Sequence, residues 1–235
     1  MAVTHQEWIA LRSDISRKAA SIGVAVAIYG VSFGALGATT GLTIAQTQAL
    51  SLLMFTGASQ FALVSTIASG GGSLAAIAAA MLLGTRNAAY SLRMAPILKV
   101  NGARKILASH LTIDESTAMG LAQDEAVDNG RASRLGFWST GLSVFVLWNL
   151  ATLLGSVTAS AIGDPKALGL DAAIAAGLFA LVWPQIKSRY AAATALGGAL
   201  VALTLTPVMP AGIPVLAAST VAFIVGWSWS KQGDL

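Results

Sequence analysis

Arg86 is the residue whose chemistry most needs explaining. A guanidinium stays charged at every physiological pH, yet it follows a stretch from Ala19 to Thr85 that contains no Lys, Arg, Asp, Glu or His. Its fork of donors fits a carboxylate held through two hydrogen bonds, and Asn87 and Tyr90 beside it add polar contacts. Asp164 and Asp171 are expected at the opposite surface, so no acid shares its depth. The counter-charge could then come from backbone carbonyls, water, a partner subunit, or the carboxylate of a bound amino or carboxylic acid; the last is the expectation taken forward. The bland alternative is that Arg86 snorkels to an interface or caps broken backbone.

A second polar island, Phe55-Thr56-Gly57-Ala58-Ser59-Gln60-Phe61, lies inside an apolar run and is followed by Ser65 and Thr66. An amide surrounded by hydrocarbon needs hydrogen-bond partners, so Gln60 either joins two helices or lines a path. The expected substrate-binding set is therefore Arg86, Asn87, Tyr90, Gln60, Ser59, Thr56, Gly57 and Ser32. Gly30, Gly34, Gly37 and Gly41 recur at spacings of three and four, one face of a helix, where they either permit close helix packing or, with Ser32, line the path. Trp148-Asn149 is a further buried polar site of structural character. His110 and Asp114, with Glu115, form a weak two-ligand metal pattern. Asp171, Asp114 and Glu115 are the acids available for coupling to an ion. No nucleophile elbow, phosphate-cradling loop or paired acids occur within the apolar runs, so neither an intramembrane enzyme nor an ATP-driven pump is expected, and no cofactor or metal.

The elements holding these residues must be read against a lipid solvent. The 235-residue chain is 55% hydrophobic and 10% charged, far below the roughly 25% charge of an ordinary soluble domain. Two more uncharged runs, Leu135 to Gly163 and Tyr190 to Ser230, each exceed the about 20 residues that cross a bilayer as a helix. Spans are expected near Ala20–Thr40, Ile44–Ala68, Leu135–Ile162, Gly169–Ile186, Ala191–Thr206 and Gly212–Trp229. All are expected to be helical, because backbone in hydrocarbon must satisfy its own hydrogen bonds and the alternation of a membrane barrel is missing. Ser69-Gly70-Gly71-Gly72-Ser73, Gly163-Asp164-Pro165 and the Pro207, Pro210, Pro214 cluster mark turns.

Residues 73–100, interrupted at Thr85-Arg86-Asn87, are expected to enter and leave one side of the membrane as two half-helices. That gives an all-α polytopic bundle of six spans plus a broken or re-entrant segment, with seven spans as the alternative. With the N-terminus inside, the six-span topology leaves Arg12, Arg17, Lys18, Arg93, Lys99, Arg104, Lys105, Arg131, Arg134, Lys187, Arg189 and Lys231 on the cytoplasmic side and only Lys166 outside, which satisfies the positive-inside rule. Residues 101–134, polar and of mixed charge, are expected to form a cytoplasmic helical connector within a single domain of 1–235. The +4 net charge thus reads as a topology signal, and no nucleic-acid partner is expected. There is no cysteine, so neither disulfides nor thiolate metal sites are possible.

The island at 55–61, Arg86 with Tyr90 and Pro96 downstream, Leu111-Thr112 before Asp114-Glu115, Gly169-Leu170-Asp171, and Trp183-Pro184-Gln185-Ile186-Lys187-Ser188-Arg189 together resemble the AzlC-type large subunit of bacterial branched-chain amino acid exporters. The resemblance spans nearly the whole chain. One departure stands beside the arginine, where Gly84-Thr85 and Asn87 replace the Asn-Leu and His common in that family. The resemblance implies export of valine, leucine, isoleucine and sometimes methionine across the bacterial cytoplasmic (inner) membrane, alongside a small AzlD-type membrane subunit. The competing expectation is a non-transporting membrane scaffold or sensor subunit that gathers partner helices on its glycine face.

Overall fold

The Thr4 hydroxyl accepts from the Glu7 amide while the Glu7 carboxylate accepts from the Thr4 backbone N–H at 2.8 Å. This reciprocal cap starts a helix, α1, running His5–Thr39. The computed structural model describes residues 4–123, 127–162, 179, 183, 186–210 and 213–230. Among these the regular structure is helical throughout: after α1 come α2 (Ile44–Leu53), α3 (Gly57–Ala68), α4 (Ser73–Leu98), α5 (Ala103–His110), α6 (Asp114–Leu121), a short 3-10 turn (Val127–Gly130), α7 (Arg131–Ala161), α8 (Arg189–Leu205) and α9 (Ile213–Ser230).

The frame is the pair α1 and α7, which among the described residues are the two helices long and apolar enough to cross a membrane. They lie side by side in parallel, because contact partners rise together in number: Gly23 meets Ser143, Gly30 meets Trp148 and Ala151, and Gly34 meets Thr152 and Ser156. Gly155 of α7 returns the favour against Val31. Glycine at these positions lets backbone approach backbone, the source of association where lipid offers no hydrophobic drive. Ser156 Oγ donates to the Gly34 carbonyl at 3.2 Å, and at the polar ends Arg131 sits 3.9 Å over the Trp8 ring.

Two parallel neighbours need a return path between them. Helix α4 supplies it: its 26 residues reach about 39 Å. It is one continuous helix, so the expected pair of half-helices across residues 73–100 is incorrect. Thr85, Arg86 and Asn87 do not interrupt its backbone ladder; the charge is met from another element. Pro96 sits in its last turn, and Lys99 ends it at φ 50°.

The broken segments lie elsewhere. The stretch expected as one span at Ile44–Ala68 is two helices, α2 and α3, hinged at Met54-Phe55-Thr56. Thr56 is extended, and its N–H donates to the Met54 carbonyl at 2.7 Å. Residues 50 and 60 of a straight helix would stand about 15 Å apart, yet the Gln60 amide nitrogen donates to the Leu50 carbonyl at 3.0 Å. Helix α3 therefore folds back beside α2.

The second break falls in the stretch expected to be a polar connector, much of which is core. Leu111, Thr112, Ile113, Ser116, Thr117 and Met119 are all buried. Helix α5 leads inward from Gly102, and α6 runs antiparallel to α7, with Leu111 and Ser116 against Gly141, then Met119 against Gly136. The Ser116 hydroxyl donates to the Leu111 carbonyl at 2.6 Å and accepts from the Ile113 N–H at 3.1 Å, which satisfies the opened backbone. The two hinges meet: the Phe55 ring stands 5.9 Å from His110 and 5.0 Å from Phe145.

The expected spans at 135–162, 191–206 and 212–229 coincide with α7, α8 and α9 within a few residues, and the span at 20–40 is the C-terminal part of α1, which begins well before it at His5. Helices α8 and α9 pack antiparallel, Gly197 against Val221 and Gly198 facing Ala218. The expected span Gly169–Ile186, with Asp171 and Pro184, lies outside the described residues apart from positions 179, 183 and 186.

Candidate functional site

Three elements converge where the hinges meet α4. Asp114 opens α6, where a helix N-terminus favours a carboxylate. Its Oδ2 lies 2.8 Å from Arg86 Nη1, with the two side chains 25% and 39% exposed. The expectation that no acid shares the depth of Arg86 is thus overturned. It failed because residues 103–121 fold inward as a helical hairpin instead of lying along a surface.

The pair makes one contact and leaves two atoms over. Arg86 Nε, a donor, and Asp114 Oδ1, an acceptor, are both buried and have no hydrogen-bond partner among the described residues. A buried polar group left unpaired costs about 1–3 kcal/mol, so the arrangement is an ion pair with unused hydrogen-bonding capacity on each side. Tyr90, one turn below Arg86 on the same face of α4, adjoins the Asp114 carboxylate, and Glu115 lies within electrostatic reach of both charges. Thr117, one turn along α6 from Asp114, is buried with an unpartnered hydroxyl.

The rest of the expected substrate-binding set divides. Ser59, at the start of α3, is buried with its hydroxyl unpartnered and abuts Gly84. Gly84 lies two residues from Arg86, about 200° around the helix, so Ser59 faces a different side of α4. Half-buried Asn87 shares that side by helical spacing. Gln60 is fully buried and pins α3 to α2 through Leu50, leaving its carbonyl oxygen unpartnered. Thr56 is the N-cap of α3 without a side-chain capping bond, and Gly57 faces the Trp148 ring, which a Cβ would meet at 3.3 Å. Ser32 is half-buried on α1 between Val31 and Phe33. Arg86, Tyr90, Asp114 and Glu115 are brought together; Asn87, Ser59, Gln60, Thr56, Gly57 and Ser32 border the α3 hinge or α1.

Among the glycines, Gly30 and Gly34 face α7 and Gly37 faces Thr47 of α2. Gly41 departs from the row: it lies beyond the end of α1, in a turn at φ 88°, with nothing near its missing Cβ. His110 closes α5 while Asp114 opens α6, so the two do not share a helix face. His110 packs its ring against Phe55 and Phe145, and the described residues contain no cluster of three metal-ligating side chains.

Sequence reasoning missed the role of Asp114 as the partner of Arg86. The only local signal is Leu111 and Ile113 flanking a threonine immediately before two acids, too short to mark a buried hinge by itself.

Paired glycine helices, two hinged helical hairpins and a charged pair at their meeting point make, among the described residues, an all-helical protein in which two helices are long and apolar enough to cross a membrane. The family described as AzlC protein matches residues 21–162, over half of the chain, and the chain belongs to this family, which is associated with membrane transport. No curated protein and no solved structure matches it.

Proposed function

We propose that the chain is the multi-spanning large subunit of a secondary exporter of branched-chain, apolar amino acids, seated in the bacterial cytoplasmic (inner) membrane and acting with a small AzlD-type membrane subunit. The observation that carries this reading is the 2.8 Å Arg86–Asp114 contact at the junction of two broken helices. Broken helices place polar backbone where a substrate's charged end can be held, and they are the common construction of secondary-transporter binding sites. Family membership supports transport as the general activity; the substrate class and the small subunit extend it.

The test is efflux from cells loaded with dipeptides containing valine, leucine or isoleucine, with and without the small subunit co-expressed. Wild type, Arg86→Ala and Arg86→Lys are compared at matched membrane levels. Alanine is expected to abolish efflux, and lysine to retain under a tenth of it, because a compact ammonium cannot reproduce the fork. Wild-type rates in Arg86→Ala would remove Arg86 from the mechanism. A chain that never supports efflux, with either partner condition, would favour the scaffold reading.

A further inference from the structure

The strongest unexplained feature is the pair of leftover atoms on either side of one ion contact. Resting on the amino acid export reading, we propose that Arg86 and Asp114 are the two halves of a receptor for the zwitterionic end of an α-amino acid, the substrate replacing their contact with one another. The carboxylate goes to Arg86 and the ammonium to Asp114.

The complementarity is atom by atom. Buried Arg86 Nε is a donor without an acceptor, and a substrate carboxylate offers two acceptors. Buried Asp114 Oδ1 is an acceptor without a donor, and an ammonium offers three. Thr117, buried with a free hydroxyl one turn along α6 from Asp114, supplies a further group on the same face. The Tyr90 hydroxyl, next to the carboxylate, completes the polar set on the α4 side.

The charge balance also fits. Before binding, one positive and one negative side chain neutralise each other at a single contact of 2.8 Å. After binding, each faces one end of a neutral zwitterion, so no net charge enters the apolar surroundings. The backbone need not yield: α6 is packed on α7 through Ser116 and Met119 and α4 lies along α3, so it is the two partly exposed side chains that part by rotation. The pair therefore serves as an internal placeholder: it keeps both charges satisfied while the site waits, and it requires both ends of the ligand to open it.

That requirement separates ligands that resemble leucine in shape. 4-Methylpentanoate keeps the side chain and carboxylate but lacks the ammonium; 3-methylbutylamine keeps the ammonium but lacks the carboxylate. The experiment is competition against radiolabelled leucine on the full chain purified in detergent. Wild type is expected to bind leucine at least about 10-fold more tightly than either analogue, the worth of one charge-assisted contact. Asp114→Asn is expected to lose leucine by a similar factor while binding 4-methylpentanoate no worse than wild type, because Arg86 is then unclaimed. Arg86→Gln is expected to lose leucine while keeping the amine.

Equal affinity of wild type for leucine and 4-methylpentanoate overturns the proposal without requiring any variant to fold, and leaves the export reading standing. Equal losses of leucine and 4-methylpentanoate in Asp114→Asn, measured at a temperature where the variant is fully folded, also overturn it, since the carboxylate is then structural. Failure of wild type to bind leucine or any other apolar amino acid overturns the proposal and the export reading together.

Discussion

Replacing Gly34 by alanine should separate the two frame helices, and the cost follows from the geometry. A Cβ at Gly34 would overlap the Thr152 carbonyl and sit 2.7 Å from the Ser156 nitrogen. Both are backbone atoms of α7, so no side-chain rotation relieves the clash. Carbon contacts are most favourable at about 3.5–4.0 Å, so α1 and α7 must part locally by roughly 1 Å. The Ser156 hydroxyl bond to the Gly34 carbonyl, already 3.2 Å long, would then pass the range of a useful hydrogen bond. Overpacking of this kind costs about 1–3 kcal/mol and the lost bond about 1 kcal/mol, so a total destabilisation of about 2–4 kcal/mol is expected. The measurement is equilibrium unfolding in mixed micelles with increasing denaturing detergent, followed by tryptophan fluorescence. Gly226→Ala is the control: it lies within α9 with nothing near its missing Cβ, and alanine there should be neutral or stabilising by up to about 1 kcal/mol. A Gly34→Ala chain within about 0.5 kcal/mol of wild type would refute the close parallel approach of α1 and α7.

Three further outcomes are expected. In a double-mutant cycle of Arg86→Gln and Asp114→Asn, partial exposure of both side chains limits each single loss to about 1–2 kcal/mol; the pair should couple by about 1 kcal/mol, and additivity in the same unfolding assay would remove the contact. Gln60→Leu should destabilise by about 1 kcal/mol, since the bond from its amide to the Leu50 carbonyl is lost while that carbonyl keeps the Met54 N–H, and should raise proteolytic cleavage near Met54; unchanged stability would mean that the amide does not hold α3 against α2. Single cysteines at Thr43 and Lys105, placed in the cysteine-free chain, should react with an impermeant maleimide from opposite sides of the membrane, and labelling from one side alone would contradict hinged hairpins entering from opposite faces.

The lipid-directed character of the chain was legible because uncharged runs are long and unambiguous, and the cores of α1, α7, α8 and α9 were placed from them. The breaks were misplaced for a physical reason. Charge at Thr85-Arg86-Asn87 was read as an interruption, but a helix tolerates an arginine whose charge is met by a neighbour, and Asp114 meets it. The real hinge at Met54-Phe55-Thr56 carries neither proline nor charge, so local propensity does not reveal it; tertiary contacts of Phe55 and Gln60 hold it open. The polarity of residues 101–134 masked the burial of Leu111-Thr112-Ile113, because two apolar residues around a threonine are too few to stand out beside Arg104, Lys105, Asp114 and Glu115. Gly30 and Gly34 were recognisable from spacing, whereas Gly41 shares the spacing but follows the end of the helix.

The contact of Phe55 with His110 and Phe145 has a mechanical meaning. Helices α1 and α7 meet backbone to backbone at Gly34 and Gly155, and Phe55, His110 and Phe145 form one aromatic cluster beside them. Each elbow is thereby keyed to the other and to α7 through a shared ring, so neither can be repacked without disturbing its counterpart.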